Sequence, residues 1–115
     1  MIDSSFSVDL VHLNGQTVVR FLGELDLAQA DHAEEHARRA LARTATGPLI
    51  IDLSELSYCD SSGIRALLHI QAEAQRRGVN VLLRRPRPLV HRVFELAGVV
   101  DLLQIDGDPS TLPTR

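Results

Sequence analysis

The residues best equipped for chemistry lie in one stretch, Cys59-Asp60-Ser61-Ser62-Gly63, which gathers a thiol, a carboxylate and two hydroxyls ahead of a glycine. Small residues two before and two after Ser61 give it the outline of the turn on which serine hydrolases expose their nucleophile. That chemistry requires an acid and then a histidine further along the chain. After Ser61 the histidines are His69 and His91, and the one acid between Ser61 and His91 is Glu73, on the same predicted helix as the serine. A triad is not assembled by this sequence, and 115 residues are few for the usual hydrolase scaffold. Nothing places a base beside Cys59 to make it a thiolate nucleophile. Asp60, Ser61 and Ser62 are, however, well suited to capping a helix, because a side-chain oxygen can accept from the exposed N–H groups of the first turn. Capping alone does not account for a serine pair ahead of a glycine. A phosphate added there would be favoured by the same N–H groups and by the helix dipole.

Metal chemistry has weaker support. His32 and His36, four apart and flanked by Asp31 and Glu35, could share one helix face, but no third ligand is suggested elsewhere. His69 is explained by its helical neighbours Arg65 and Glu73, while His12 and His91 have no partner that spacing identifies. The single cysteine, Cys59, excludes an internal disulfide and any multi-cysteine zinc site. No cofactor or metal is expected.

The elements that must position the serine pair follow from periodicity. Alternating runs Phe6 to Leu13 and Thr17 to Leu22 flank Asn14-Gly15, which predicts an antiparallel hairpin. Apolar residues at Leu27, Ala30, Ala33, Ala37, Ala40 and Leu41 predict a helix from Leu27 to Thr44, with Asp26 as N-cap and Gly47-Pro48 as a stop. Leu49 to Leu53 is apolar at nearly consecutive positions, as in a central strand covered on both faces. A second helix begins near Ser61 and ends at Gly78, with Ile64, Leu67, Ile70, Gln71 and Ala74 on one face. Val79 to Leu83 reads as a strand. Pro88 opens a third helix, with apolar Leu89, Val90, Val93, Phe94, Leu96 and Ala97, that stops at Gly98. A short strand around Leu102 to Ile105 ends the order β-β-α-β-α-β-α-β. Right-handed crossovers make the later strands parallel, giving an α/β domain with a mixed, mostly parallel sheet and helices mainly on one face. Residues 1–105 form the expected domain and Asp106 to Arg115 an unstructured tail.

Composition bounds the partners. With 44% hydrophobic and 23% charged residues the chain is globular rather than disordered. No apolar run is long enough to span a membrane, and the first residues lack the pattern of a signal peptide, so a cytoplasmic protein without membrane insertion is expected. The net charge of −3 conceals six arginines and no acid between Ala74 and Phe94. Direct nucleic-acid binding is not expected, because three Phe, one Tyr and no Trp leave few stacking platforms and no recognition motif is visible. The stretch from Arg76 to Arg92 reads instead as a solvated patch or a second contact for an acidic partner.

Four segments together resemble a known family. Gly23-Glu24-Leu25-Asp26 before a helix, Ile51-Asp52-Leu53-Ser54, Asp60-Ser61-Ser62-Gly63-Ile64 opening the next helix, and Arg92-Val93-Phe94-Glu95-Leu96-Ala97-Gly98 look like the STAS domain of anti-sigma factor antagonists. The resemblance covers about Phe6 to Ile105. In that family the first serine of the Asp-Ser-Ser-Gly element is phosphorylated by the partner anti-sigma factor, itself a serine kinase, which carries over to Ser61. The resemblance implies a non-enzymatic partner switch: the unphosphorylated protein binds the anti-sigma factor, the phosphorylated one lets go, and a phosphatase resets it. Glu24, Asp26, Asp60, Ser61, Ser62, Gly63 and Arg65 are the expected partner-binding residues. Arg65 stands where the family often has a small residue, a departure that bears on partner choice. The same fold also serves as a subunit of lipid-transport complexes and as a scaffold in stress-sensing assemblies, neither of which requires a phosphorylated Ser61. Because loops after the ends of parallel strands gather on one side of a sheet, the segment Gly23 to Asp26 and the start of the Ser61 helix are expected on one edge.

Overall fold

The computed structural model describes residues 6–106. The chain begins with the hairpin of β1 (Phe6–Leu13) and β2 (Gln16–Leu25), in which Leu13 pairs with Gln16 across Asn14-Gly15. Both turn residues have positive φ, 51° and 79°, the geometry that lets a two-residue turn follow the right-handed twist of the strands. Then follow α1 (Leu27–Ala42), β3 (Leu49–Cys59), α2 (Ser61–Arg76), β4 (Val81–Arg84), α3 (Pro88–Ala97) and β5 (Ile105–Asp106). The strands form one sheet in sequence order, with β1–β2 antiparallel and the others parallel.

Strand parity sorts the two faces. Val19, Phe21, Leu49, Ile51, Leu53, Val81 and Leu83 join one core cluster with the buried stripes of all three helices, so the helices pack against that face. Ala33, Ala37 and Ala40 on α1 are essentially inaccessible, and their small side chains let the helix lie close. Residues of opposite parity make a charged row across all five strands, Asp9, Arg20, Asp52, Arg84 and Asp106, each paired in register with the next. The signs alternate, with Arg20 Nε 3.5 Å from an Asp52 oxygen and Arg84 Nε 3.9 Å from Asp106. A one-residue slip of any strand would break this row and turn its core residues outward, so charge and burial specify the same register.

Several expectations change. β3 continues to Cys59 rather than ending at Leu53, because after Asp52 it keeps β2 as a neighbour while β4 stops. Its polar residues Ser54, Glu55, Ser57 and Tyr58 sit on this half-paired extension. There Arg87 Nε donates to the Ser54 carbonyl at 2.8 Å and the same guanidinium lies 3.6 Å from Glu55. β2 runs on to Leu25, β4 begins at Val81, and α1 and α2 end at Ala42 and Arg76. Asp106, expected in the tail, belongs to β5, and the remainder of that tail lies outside the described residues. Of the residues that mark the helices as apolar in sequence, Leu27 at 75%, Leu89 at 64%, Leu96 at 73% and Ala97 are exposed.

Candidate functional site

The serine pair stands where two parallel strands end together. Leu25 and Cys59 are paired in register, and Asp60 N–H donates to the Leu25 carbonyl at 3.3 Å. Each strand is followed by an aspartate that caps the next helix. Asp26 Oδ1 accepts from Gln29 N–H at 3.2 Å, and Asp60 Oδ1 accepts from Ser62 N–H at 2.9 Å and Gly63 N–H at 3.2 Å. Asp26 and Asp60 therefore share the edge, and the N-termini of α1 and α2 emerge side by side.

Ser61 is the first residue of α2 and is exposed, Ser62 is half-buried, and Gly63 is buried. A Cβ at Gly63 would come 2.6 Å from Cys59 Sγ, 2.8 Å from the Leu25 carbonyl oxygen and 2.9 Å from Leu25 Cγ. The missing side chain lets the first turn of α2 seat on the ends of β2 and β3, which sets where Ser61 emerges. Gly63 thus acts from beneath the surface. Arg65, one turn after Ser61 on the same helix face, is exposed and has no ion pair among the described residues.

The acidic side of the edge is shaped by a bulge. The β2–β3 register shifts between Gly23 and Glu24, where Gly23 has φ 98° and its carbonyl accepts from Ser57 Oγ at 3.0 Å. The irregularity aims half-buried Glu24 beside Tyr58, its register partner. Sequence reasoning missed two residues here: Leu27, and Tyr58 at 45% exposure, which bring apolar surface to an otherwise acidic edge. No sequence signal marks Tyr58; in the structure Ser57 and Tyr58 are exposed in succession, where regular alternation would bury one.

Electrostatics at the site are simple. Burial, and then the neighbouring Asp60 carboxylate, push the Cys59 thiol up to about 12, so it stays protonated and packs as a small hydrophobe. Ser61 and His69, eight residues apart on one helix, are separated by about 12 Å of rise, beyond hydrogen-bonding reach. His69 Nδ1 instead meets Glu34 of α1 at 3.0 Å, which corrects its assignment to Arg65 and Glu73. The contact crosses a cavity of about 230 Å³ between α1 and α2, whose Glu34, Arg38, Glu73 and Arg76 are already in ion pairs. The rings of His32 and His36 stack edge to face at 4.5 Å, and burial, followed by the charge of His32, holds His36 below its ordinary value. Among the described residues no three metal-ligating side chains converge. His91 is buried on α3, its Nδ1 3.6 Å from Glu95.

The basic stretch is largely neutralised within the fold. Arg76 and Arg77 pair with Glu73, whose carboxyl the Arg76 hydrogen bond holds below the usual range, while Arg84 pairs with Asp106, Arg87 with Glu55 and Arg92 with Glu95. Only Arg85 of that stretch lacks an ion pair among the described residues. The cluster seen in sequence is thus a set of ion pairs, mostly at the surface, with one cation left over.

A hairpin leading into a parallel sheet, with helices against one face and an acid-capped serine pair at the strand ends, defines a STAS-type domain. The chain belongs to the STAS domain family, whose model matches residues 7–111. It is 25% identical over 101 residues to the anti-sigma F factor antagonist of Paenibacillus polymyxa, covering 88% of this chain and 86% of that one. Its fold is like the crystal structure of an anti-sigma factor antagonist from Mycobacterium paratuberculosis, with TM-score 0.75, 20% identity and coverage of 95% and 92% of the two chains. It is also like that of the Bacillus cell fate determinant SpoIIAA in the phosphorylated form, with TM-score 0.61, 24% identity and coverage of 92% and 95%. Among the described residues no helix is long and apolar enough to cross a membrane.

Proposed function

We propose that this protein is an anti-sigma factor antagonist that works in the cytoplasm by partner switching, with Ser61 as the switch. The observation that carries the reading is Ser61 itself: an exposed hydroxyl on the first turn of α2, on the edge shared with Asp26 and Asp60. Unphosphorylated, the edge formed by Glu24, Asp26, Asp60, Ser61, Ser62 and Arg65 binds an anti-sigma factor that is also a serine kinase. Leu27 and Tyr58 add the apolar contact that an acidic rim alone would not supply. Phosphorylation of Ser61 releases the partner, and a phosphatase restores binding.

The caps support a charge mechanism over a conformational one. Helix N–H groups were expected to take up the phosphate, but Asp60 already holds those of Ser62 and Gly63. A phosphate of about −1.5 to −2 charges on Ser61 would therefore extend toward solvent, with Arg65 the nearest cation along the helix. Where the partner sets an acidic group opposite Ser61, the like-charge juxtaposition costs several kcal/mol. Loss of about 3 kcal/mol is roughly a hundredfold in affinity, enough to end binding without refolding the domain.

The test is a pull-down of the anti-sigma factor with wild type, Ser61→Ala and Ser61→Asp. Ser61→Ala should bind with or without ATP, wild type should bind only without it, and Ser61→Asp should bind poorly. Equal capture of all three under both conditions would remove Ser61 as the switch.

A further inference from the structure

We propose that Arg65 is the counter-ion of a phosphate on Ser61: in the phosphorylated chain its guanidinium turns back one helical turn, holds the phosphate oxygens and prolongs the phosphorylated state. The inference rests on the reading of Ser61 as the switch and adds a device that regulates it.

The arginines within the three helices are Arg38, Arg39, Arg65, Arg76 and Arg92, and all but one are paired along their own helix. Arg38 lies 2.9 Å from Glu35 and 3.7 Å from Glu34, Arg39 lies 3.2 Å from Glu35, Arg92 lies 3.4 Å from Glu95, and Arg76 pairs with Glu73. Each of these partners is three or four positions away, the spacing at which helical side chains meet. Arg65 is the exception. At that spacing it has Ser61 and Ser62 before it and Leu68 and His69 after it, so its own helix offers no acid. It is exposed and has no ion pair among the described residues. Serines stand where the partner acid would be, and Ser61 is the exposed one of the two.

Phosphorylation supplies the missing anion. An acid four positions before a base is the favourable order for a helical pair, and a guanidinium presents a fork of donors that matches phosphate oxygens. The neighbouring groups are already engaged. Asp60 accepts from Ser62 and Gly63 N–H, which takes up cap donors that a phosphate could otherwise use. His69, one turn beyond Arg65, meets Glu34 at 3.0 Å. A pair between Arg65 and the phosphate favours the dianion and must open before a phosphatase can grip the same oxygens.

The test uses the full chain with phosphoserine installed at position 61 during synthesis, so no kinase enters. Its phosphate is titrated by phosphorus NMR beside Arg65→Gln, Arg65→Lys and Arg76→Gln in the same phosphorylated chain. A helical ion pair is worth about a twofold preference, so Arg65→Gln should raise the second phosphate pKa, ordinarily about 6, by about 0.3 unit. Arg65→Lys should raise it less, because the charge remains and only the fork is lost. Arg76→Gln removes the same charge about 22 Å further along the helix and should leave the value unchanged. Alkaline phosphatase, which splits the ester with water into serine and inorganic phosphate, should act about twofold faster on Arg65→Gln than on the unsubstituted chain. Because Arg65 is exposed, unphosphorylated Arg65→Gln should melt within a few degrees of wild type. An Arg65→Gln titration equal to that of the unsubstituted chain, a rise matched by Arg76→Gln, or an unchanged rate of dephosphorylation overturns the proposal. The anti-sigma factor takes no part in these measurements, so a failure here is distinct from a failure of Ser61 as the switch, which the pull-down reads.

Discussion

Gly63→Ala tests whether the switch serine is held in place by the close seating of α2. The new methyl would meet Cys59 Sγ at 2.6 Å, the Leu25 carbonyl oxygen at 2.8 Å and Leu25 Cγ at 2.9 Å. The second of these is main chain, in the carbonyl that accepts from Asp60 N–H, so it cannot swing aside as a side chain can. Overpacking costs about 1–3 kcal/mol, and three simultaneous close contacts argue for the upper end. Alanine recovers at most about 1 kcal/mol over glycine in a helix. The net loss is about 2 kcal/mol, which for a domain near this size lowers Tm by about 8–10 °C. Adding Cys59→Ala removes only the Sγ contact, and at most half of the loss should return. Differential scanning calorimetry of the three proteins is the assay. A Gly63→Ala protein that melts at or above wild type would refute the reasoning, because the helix would then have room to spare.

Other predictions follow from the caps, the buried thiol and the charged row. Asp60→Ala removes an acceptor of two N–H groups and Asp26→Ala an acceptor of one; chemical denaturation should show a loss of about 1–2 kcal/mol for the first and about 1 or less for the second. The Cys59 thiol, raised from 9.0 to about 12, favours the fold while protonated. Its contribution is whole below pH 9 and falls as pH rises toward 12, so wild type should lose stability between pH 8 and 10.5 more steeply than Cys59→Ala. Native protein should also resist iodoacetamide at pH 8, and mass spectrometry should find labelling only when denaturant is added. Asp52→Ala removes the ion-pair partner of Arg20 and the acceptor of the Ser54 N–H, and urea unfolding should register about 1–2 kcal/mol.

The order of elements was legible because it rests on local chemistry: Asn14-Gly15 for the hairpin, Asp26 and Asp60 for the helix starts, Pro88 for the start of α3. The shared edge was legible because parallel strands impose it. What escaped depends on contacts between residues distant in sequence. β3 could not be followed past Leu53, because whether Ser54 and Ser57 belong to a strand depends on β2 continuing beside them. Periodicity assigned His69 to its own helix, whereas its partner Glu34 is 35 positions away on α1. It could not separate Leu89 and Leu96 from their buried neighbours Val90 and Phe94, since an apolar residue on a helix reads alike whether it faces the sheet or solvent. The arginine-rich stretch read as a basic surface because Asp106 and Glu55, which neutralise Arg84 and Arg87, arrive from other strands.

The central claim is that charge on Ser61 alone breaks the partner interface, and titration calorimetry on one defined species tests it most directly. The chain carrying phosphoserine at position 61 is titrated against the anti-sigma factor beside the unmodified chain, with both melts recorded. The account predicts an affinity loss of about a hundredfold or more, a smaller loss for Ser61→Asp, and melting temperatures within a few degrees of each other. A phosphorylated chain that binds at unmodified affinity would contradict it.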